Sequence, residues 1–187
     1  MKDDYIKLSA NIVAGPYLQG VAFLEGVITV VDDWKKKKLI TLEKQGYRAG
    51  FLASNLAFSV EMFLKTILNI GNIKYKNNHD TKYLFDLLPQ DISNIIKSNI
   101  KEPIINETNN TNANYFYDEF EYYLIQNKDA FVRWRYYYEK DNQYTFEFLY
   151  RFSYALYNYL NEYHDLSRLS QDYQSTFTSD RIIIKLK

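Results

Sequence analysis

Between Ala49 and Ile73 the chain carries only two charges, Glu61 and Lys65. Every other residue there is apolar, small or neutral polar, and the spacing is helical. Leu52, Leu56, Ser59, Phe63, Ile67 and Ile70 recur three and four apart on one face, while Phe51, Val60, Met62, Leu64 and Leu68 cover most of the remainder. A helix apolar nearly all round belongs in the middle of a bundle, because a surface helix needs a polar face. The pattern therefore predicts Phe51 to Ile70 as the most buried helix. Glu61 precedes Lys65 by four residues, the favourable order for an intrahelical pair, and the two share a narrow polar strip with Ser54. Asn69-Ile70-Gly71 predicts the helix stop. A polar hinge, Lys74 to Asn78, then leads to His79-Asp80 and a short amphipathic helix with Tyr83, Leu84, Leu87 and Leu88, closed by Pro89.

Around this stretch the chain reads as further helices. One is expected from about Tyr17 to Lys36, after a break at Gly15-Pro16, with a strand as the alternative for its β-branched run. The apolar run from Val21 to Val31 is interrupted by Glu25-Gly26 and reads as too short to span a membrane. The opening MKDDYIKLS lacks the basic-then-apolar order of a signal peptide, so no membrane partner is expected. The run Lys35 to Lys38 fits either a solvated helix end, where cations complement the dipole, or a phosphate-binding patch. Gly46 and Gly50, four apart, predict a close helix approach near the start of the central helix. Beyond Pro89, Ile92, Ile95, Ile96 and Ile100 predict another short helix, whereas the Asn- and Thr-rich run near 101–114 has no period and reads as a surface loop. Phe116, Phe120, Tyr123, Asn127, Phe131, Trp134 and Tyr138 then restore helical spacing, with Asn127 or Asp129 able to cap a restart. A last long helix places Phe146, Leu149, Tyr150, Ser153, Leu156, Tyr157, Leu160 and Tyr163 on one face. The expected organisation is all-α: a single-domain, up-and-down helical bundle over 1–165, followed by a polar C-terminal extension at 166–187 that ends in RIIIKLK.

Charge and residue usage narrow the function classes. The 23 Lys and Arg balance 23 Asp and Glu, so no global basic field points to nucleic acid, and any such contact must rest on a local patch. The absence of cysteine removes disulfides and thiolate metal ligands and fits a cytoplasmic protein. The chain has two histidines. A His-Asp dipeptide such as His79-Asp80 can ligate metal in phosphohydrolases, but nothing here completes a ligand set. The expectation is no metal and no cofactor, with Asp80 or Asn78 capping the short helix and His79 bonding locally. His164 reads as a dipole-satisfied residue at a helix C-terminus. Aromatics make up 18% of the chain, more than one small core needs, and the surplus Tyr and Trp predict an interface, hence a homodimer.

The run Ser59-Val60-Glu61, Leu64-Lys65, Leu68, a polar hinge, His79-Asp80, then Leu84, Leu87-Leu88-Pro89 resembles the core of HEPN domains, small helical proteins common in bacterial toxin–antitoxin and phage-defence systems. Ala130-Phe131-Val132-Arg133-Trp134-Arg135-Tyr136-Tyr137-Tyr138-Glu139 is similar to the Arg-Tyr segment found later in many members. The resemblance implies a helical bundle that dimerises, and possible partners in RNA, a nucleotide, an antitoxin or a nucleotidyltransferase. Ribonucleases of that family are expected to carry an Arg followed roughly four to six residues later by a His, the proton-transfer partner. No Arg of this chain has a His at that spacing. The resemblance therefore implies a non-catalytic module that binds RNA, a nucleotide or a partner protein. The alternative is a metal-independent endoribonuclease with a divergent catalytic site made of Arg133, Arg135, Tyr136 and Glu139.

On a helix, Trp134 and Tyr138 would take the core face, which leaves Arg133 with Tyr137 and Arg135 with Glu139 as i,i+4 pairs. Guanidinium groups beside rings can grip phosphate and stack on a base, which makes Arg133, Arg135 and Tyr137 the candidate ligand-binding residues. The same groups can make an intrahelical ion pair and a cation–π contact. Glu61 and Lys65, on a nearly all-apolar helix, are expected to be buried and paired. They would form a structural polar cluster with Glu139, with Arg133 or Arg135 reaching Glu61.

Overall fold

The weakly charged stretch becomes most of one long helix. In the computed structural model, which describes residues 2–37, 42–101, 113–133 and 146–166, the order is α1 (Lys2–Lys37), α2 (Leu42–Ile70), α3 (Thr81–Asp86), α4 (Gln90–Asn99), α5 (Ala113–Asp118), α6 (Phe120–Asn127), α7 (Ala130–Arg133) and α8 (Phe146–His164). The fold is an all-α helical bundle, with no strand among the described residues. The run expected as a loop near 101–114 and the C-terminal extension fall almost entirely outside them.

Helix α2 is the centre of the bundle. Every residue from Ser59 to Leu68 is buried, on all sides of the helix, and Leu52, Ala53, Leu56 and Ala57 extend the core about two turns further back. Phe51 departs from the expectation and is 64% exposed, so burial begins at Leu52. The helix ends where the sequence indicates, by a different residue. Asn72, not Gly71, takes the left-handed conformation (φ 52°). The Ile73 N–H donates to Leu68 O at 2.8 Å and the Asn72 N–H to Asn69 O at 3.1 Å, a Schellman closure that satisfies two terminal carbonyls.

Helix α1 runs antiparallel to α2, as Ile12 meets Asn69, Tyr17 and Gly20 meet Phe63, and Phe23 meets Phe58. It does not break at Gly15-Pro16. Pro16 sits inside a continuous helix. Its continuity through Glu25-Gly26 also makes the apolar span longer than the sequence reading allowed. Ile12–Asp33 and Gly50–Ile70 are both long and apolar enough to cross a membrane by length and composition. The second is 78% buried inside the bundle and the first 28%. A tight helix approach falls at Gly20, where a Cβ would lie 2.6 Å from the Phe63 ring; the surroundings of Gly46 and Gly50 lie outside the described contacts. Beside it, Ser59 Oγ donates to the Gly20 carbonyl at 2.8 Å, so the Ser153 hydroxyl, also at 2.8 Å, donates to Ser59. Three helices are thereby tied at one buried point.

Helix α8 runs parallel to α2, with Ser153 on Ser59 and Tyr157 on Phe63. Its buried face is Phe148, Leu149, Arg151, Phe152, Ser153, Ala155, Leu156, Tyr159 and Leu160. Relative to the expected face, the core side is rotated towards Phe148 and Phe152, and Tyr163 is 51% exposed. The cause is a second aromatic layer. Phe85 of α3 and Phe120 of α6 pack on Phe152 at 5.7 and 5.4 Å, and Phe116 of α5 and Phe120 pack on Phe148 at 6.1 and 5.7 Å. Edge-on and tilted pairs of this kind add stability beyond area burial. Tyr17 closes the other end by donating to Asn161 Oδ1 at 2.7 Å, and burial holds its hydroxyl well above the usual tyrosine range.

The Gly20–Phe63 contact yields a double-mutant test. Phe63→Ala should cost about 3–5 kcal/mol and Gly20→Ala about 1–3 kcal/mol by overpacking. In the Phe63→Ala background, Gly20→Ala should cost close to nothing, because the clashing ring is gone. Additive costs in urea denaturation would show that α1 does not pack on α2 through Gly20.

Candidate functional site

Glu61 sits in the middle of the buried run with its side chain 0% exposed. A carboxylate removed from water is strongly unfavourable unless donors replace its hydration. Two do so. Lys65 Nζ, one turn on, donates to Oε1 at 2.7 Å, and His79 Nδ1 lies 3.1 Å from Oε1 and 3.0 Å from Oε2. The carboxylate only accepts, which assigns a proton to Nδ1 and leaves Nε2 outside that contact. The His79 side chain is 46% exposed. The imidazole is held at Nδ1 by the buried charge, and close to half of the side chain stays open to solvent.

The expectation that Glu61 and Lys65 are buried and paired matches this arrangement; the expected local bonding of His79 does not. His79 reaches Glu61 across eighteen positions because the chain reverses at the Schellman closure and returns along α2. Asp80 caps as expected, its Oδ1 accepting the Tyr83 N–H at 2.9 Å. No cation from the Arg-Tyr segment was needed to solvate Glu61. Arg133 pairs instead with Asp129, one turn earlier, and stays about half exposed. Arg135, Tyr136, Tyr137 and Glu139 lie outside the described residues, and with them the Arg135–Glu139 pair and the Glu139 member of the expected polar cluster.

The two segments that carry the sequence resemblance are nonetheless neighbours. Phe131 of α7 packs its ring 4.8 Å from Phe58 of α2 and 5.2 Å from His79. The helical pattern breaks at Lys128-Asp129, as the capping residues predict, and the freed Lys128 carbonyl accepts from the Thr81 N–H at 2.8 Å and the Thr81 hydroxyl at 3.2 Å. The start of α3 and the α6–α7 turn are thus stitched together two residues from His79. Lys74 and Lys76 are exposed on the hinge that leads to His79, Lys128 stands in the turn, and Arg133 ends α7. The oriented imidazole and these cations belong to the two segments that meet at Phe131 and Thr81, along with the carboxylates of Asp80 and Asp129. Such a set of groups can hold an anion or move a proton at Nε2.

Other polar groups serve the fold. Arg151 was missed by the sequence reading. It is 1% exposed and its Nε lies 3.3 Å from Glu147 Oε1, a pair visible only as an i,i+4 spacing. His164 stands in the last turn of α8, half-buried against Tyr159, and burial pushes its pKa down. A cleft of about 510 Å³ at the C-terminal end of α2, lined by Ile12, Val13, Asn69, Asn72, Ile73, Lys74 and Tyr75, has the Asn69 amide occupied internally. Asn69 donates to Ile12 O at 2.9 Å and accepts from the Tyr75 hydroxyl at 3.2 Å. Among the described residues no group of three His, Asp or Glu stands close enough to hold a metal ion. Compared with protein-family models, with curated proteins and with solved structures, the chain matches none.

Removing the charge of Glu61 leaves Lys65 buried without a carboxylate. Glu61→Gln should therefore cost about 3–5 kcal/mol, and the double replacement Glu61→Leu with Lys65→Leu should recover most of that loss. His79→Ala should cost under about 1 kcal/mol, since that partner is half in water. Denaturation of the variants checks all three, and a His79→Ala loss as large as that of Glu61→Gln would make the imidazole a structural strut.

Proposed function

We propose that this chain is a HEPN-type helical module that binds RNA through the face formed by the 74–80 hinge and the α6–α7 turn. The observation that carries this reading is the meeting of the two family-like segments at Phe131 and His79, with Lys74, Lys76, Lys128 and Arg133 on the stretches of chain that flank it. Lys65 is committed to Glu61, so the buried carboxylate does not cancel the cations at the surface. An arginine and a tyrosine of the following segment, Arg135 and Tyr137, would extend the face with a phosphate grip and a stacking ring. In this reading the module is a cytoplasmic homodimer acting in bacterial defence or a toxin–antitoxin pair, the two Arg133 to Glu139 segments facing a common cleft. A nucleotide or a partner protein stays within the same reading as the bound species.

One observation favours a second reading, a divergent endoribonuclease. The imidazole that the Arg-containing segment lacks downstream is supplied from upstream: His79, with Nδ1 on Glu61 and its side chain half exposed, has the carboxylate-oriented form suited to proton transfer. Arg133 would then steady the phosphate.

A single labelled oligonucleotide tests both. Decauridylate should bind at low salt with an affinity that falls as salt rises, and Arg133→Ala should shallow the log–log slope by about 0.7, the share of one phosphate that is no longer neutralised. Melting temperature should stay nearly unchanged, since Arg133 and Asp129 form an exposed pair. If the chain cleaves, His79→Gln should abolish cleavage while leaving affinity within a few-fold. Absence of any affinity at low salt would sink both readings.

A further inference from the structure

The α5–α6 pair has a different character from the cationic face. From Ala113 to Asn127 the chain holds Asp118, Glu119 and Glu121 and no Lys or Arg. Of the seven described large apolar side chains left exposed, four (Tyr115, Tyr117, Tyr122 and Ile125) fall in this short span. Clustering of that kind marks an interaction surface, whereas scattered single residues do not. The helical register carries through the break at Glu119, whose N–H donates to Tyr115 O at 3.0 Å while its carbonyl accepts from the Tyr123 N–H at 3.1 Å. Asp118, Tyr122 and Ile125 therefore project on one side, with Tyr115 and Glu119 alongside.

We propose that this surface docks a basic, arginine- or lysine-bearing segment of a protein partner, held between the rings of Tyr115 and Tyr122 and the carboxylates of Asp118 and Glu119. Three features of the surface select that occupant. The rings are already ordered: Tyr115 and Tyr122 pack edge-on against Tyr123 at 5.7 and 5.2 Å, so binding loses little side-chain entropy there. The chain itself displays the recognition mode, because the Lys101 ammonium sits 3.4 Å from the centre of the Tyr117 ring. The charge is unsatisfied on one side only. Glu121 is bridged by Lys97 at 2.7 Å and Lys82 at 3.6 Å, while no described cation pairs with Asp118 or Glu119, both exposed.

Other occupants fit this charge pattern poorly. Nucleic acid would bring phosphates against carboxylates. A second copy using the same face would oppose Asp118 and Glu119 to themselves, as the two-fold symmetry of such a contact requires. The inference lies beyond the RNA-binding reading and uses none of its residues.

Fluorescence anisotropy on the full chain tests it with three labelled probes: a short peptide of alternating Arg and Gly, the matching peptide of Glu and Gly, and decauridylate. The Arg-Gly peptide should bind, with affinity falling as salt rises, and the Glu-Gly peptide should not. Tyr122→Ala should weaken Arg-Gly binding about two- to fivefold, the share expected of one exposed cation–π contact. Asp118→Asn with Glu119→Gln should flatten its salt dependence. Both sites are exposed, so melting temperatures should hold, and decauridylate affinity should be indifferent to either change. Equal peptide affinity in wild type and variants, or no peptide binding at low salt, would overturn the proposal. So would a loss of decauridylate binding in Tyr122→Ala, or a concentration-dependent dimer that the same substitution abolishes.

Discussion

A carboxylate in the middle of an apolar helix is the constraint on which the arrangement of the other elements turns. Glu61 has no water, so its donors must come from the protein, and its own helix offers one, Lys65. The second must be brought by the chain that follows. This requires α2 to stop, reverse and run back far enough for His79 to reach the carboxylate, which the Schellman closure at Asn72 and the polar hinge achieve. Once His79 is fixed, Asp80 starts α3 and Thr81 takes the Lys128 carbonyl, which locates the α6–α7 turn. Phe131 then covers His79. A buried charge is weak evidence for stability, since an apolar residue in its place can do as well. Here it sets the register of four segments against one another.

How far the sequence disclosed this depends on which kind of information each step needs. The burial of α2, the Glu61–Lys65 pair, the Asp80 cap and the helices after Pro89 all follow from local spacing and turn chemistry, and the structure agrees on them. The misreadings came where a local rule met a tertiary one. Pro16 signals a helix start, yet α1 packing along α2 carries the helix straight through it. Spacing picks out Gly46 and Gly50, but it gives no sign of the close approach at Gly20, which only the position of Phe63 identifies. The same holds for His79. A buried Glu requires a second donor, but nothing local says which of several lysines, arginines or histidines supplies it. Arg133 was a reasonable candidate; Asp129 claims it at i,i+4. The remaining members of the Arg-Tyr segment, Arg135, Tyr136, Tyr137 and Glu139, lie outside the described residues.

The aromatic content resolves into two populations with different uses. Phenylalanines fill the layer between α3, α5, α6 and α8, where Phe85, Phe116, Phe120, Phe148 and Phe152 are all buried. Tyrosines line its outer boundary. Tyr123 stacks on Phe148 at 5.5 Å with its hydroxyl pushed above the ordinary range by burial and by Tyr115, while Tyr115 and Tyr122 beyond it are exposed. A ring with a polar tip can end a core and begin an interface, which phenylalanine cannot do without leaving apolar surface in water. The overall excess of aromatics therefore divides between the packed layer and the exposed surface, and composition alone does not reveal the division.

A formal charge of zero is equally uninformative until positions are known. Among the described residues, cations gather on the hinge and the α6–α7 turn, and carboxylates gather on α5 and α6 immediately before it in the chain. Opposite fields that sum to nothing still steer opposite partners, because a surface potential acts within roughly a Debye length, about 8–10 Å at ordinary salt, and not over the whole molecule. On the readings proposed above, a balanced chain of this kind would attract phosphate at one surface and a basic peptide at another without either weakening the other's approach. The buried Glu61 belongs to neither field. Lys65 neutralises it inside the bundle, so that the surface charges, and not the core, decide what each face attracts.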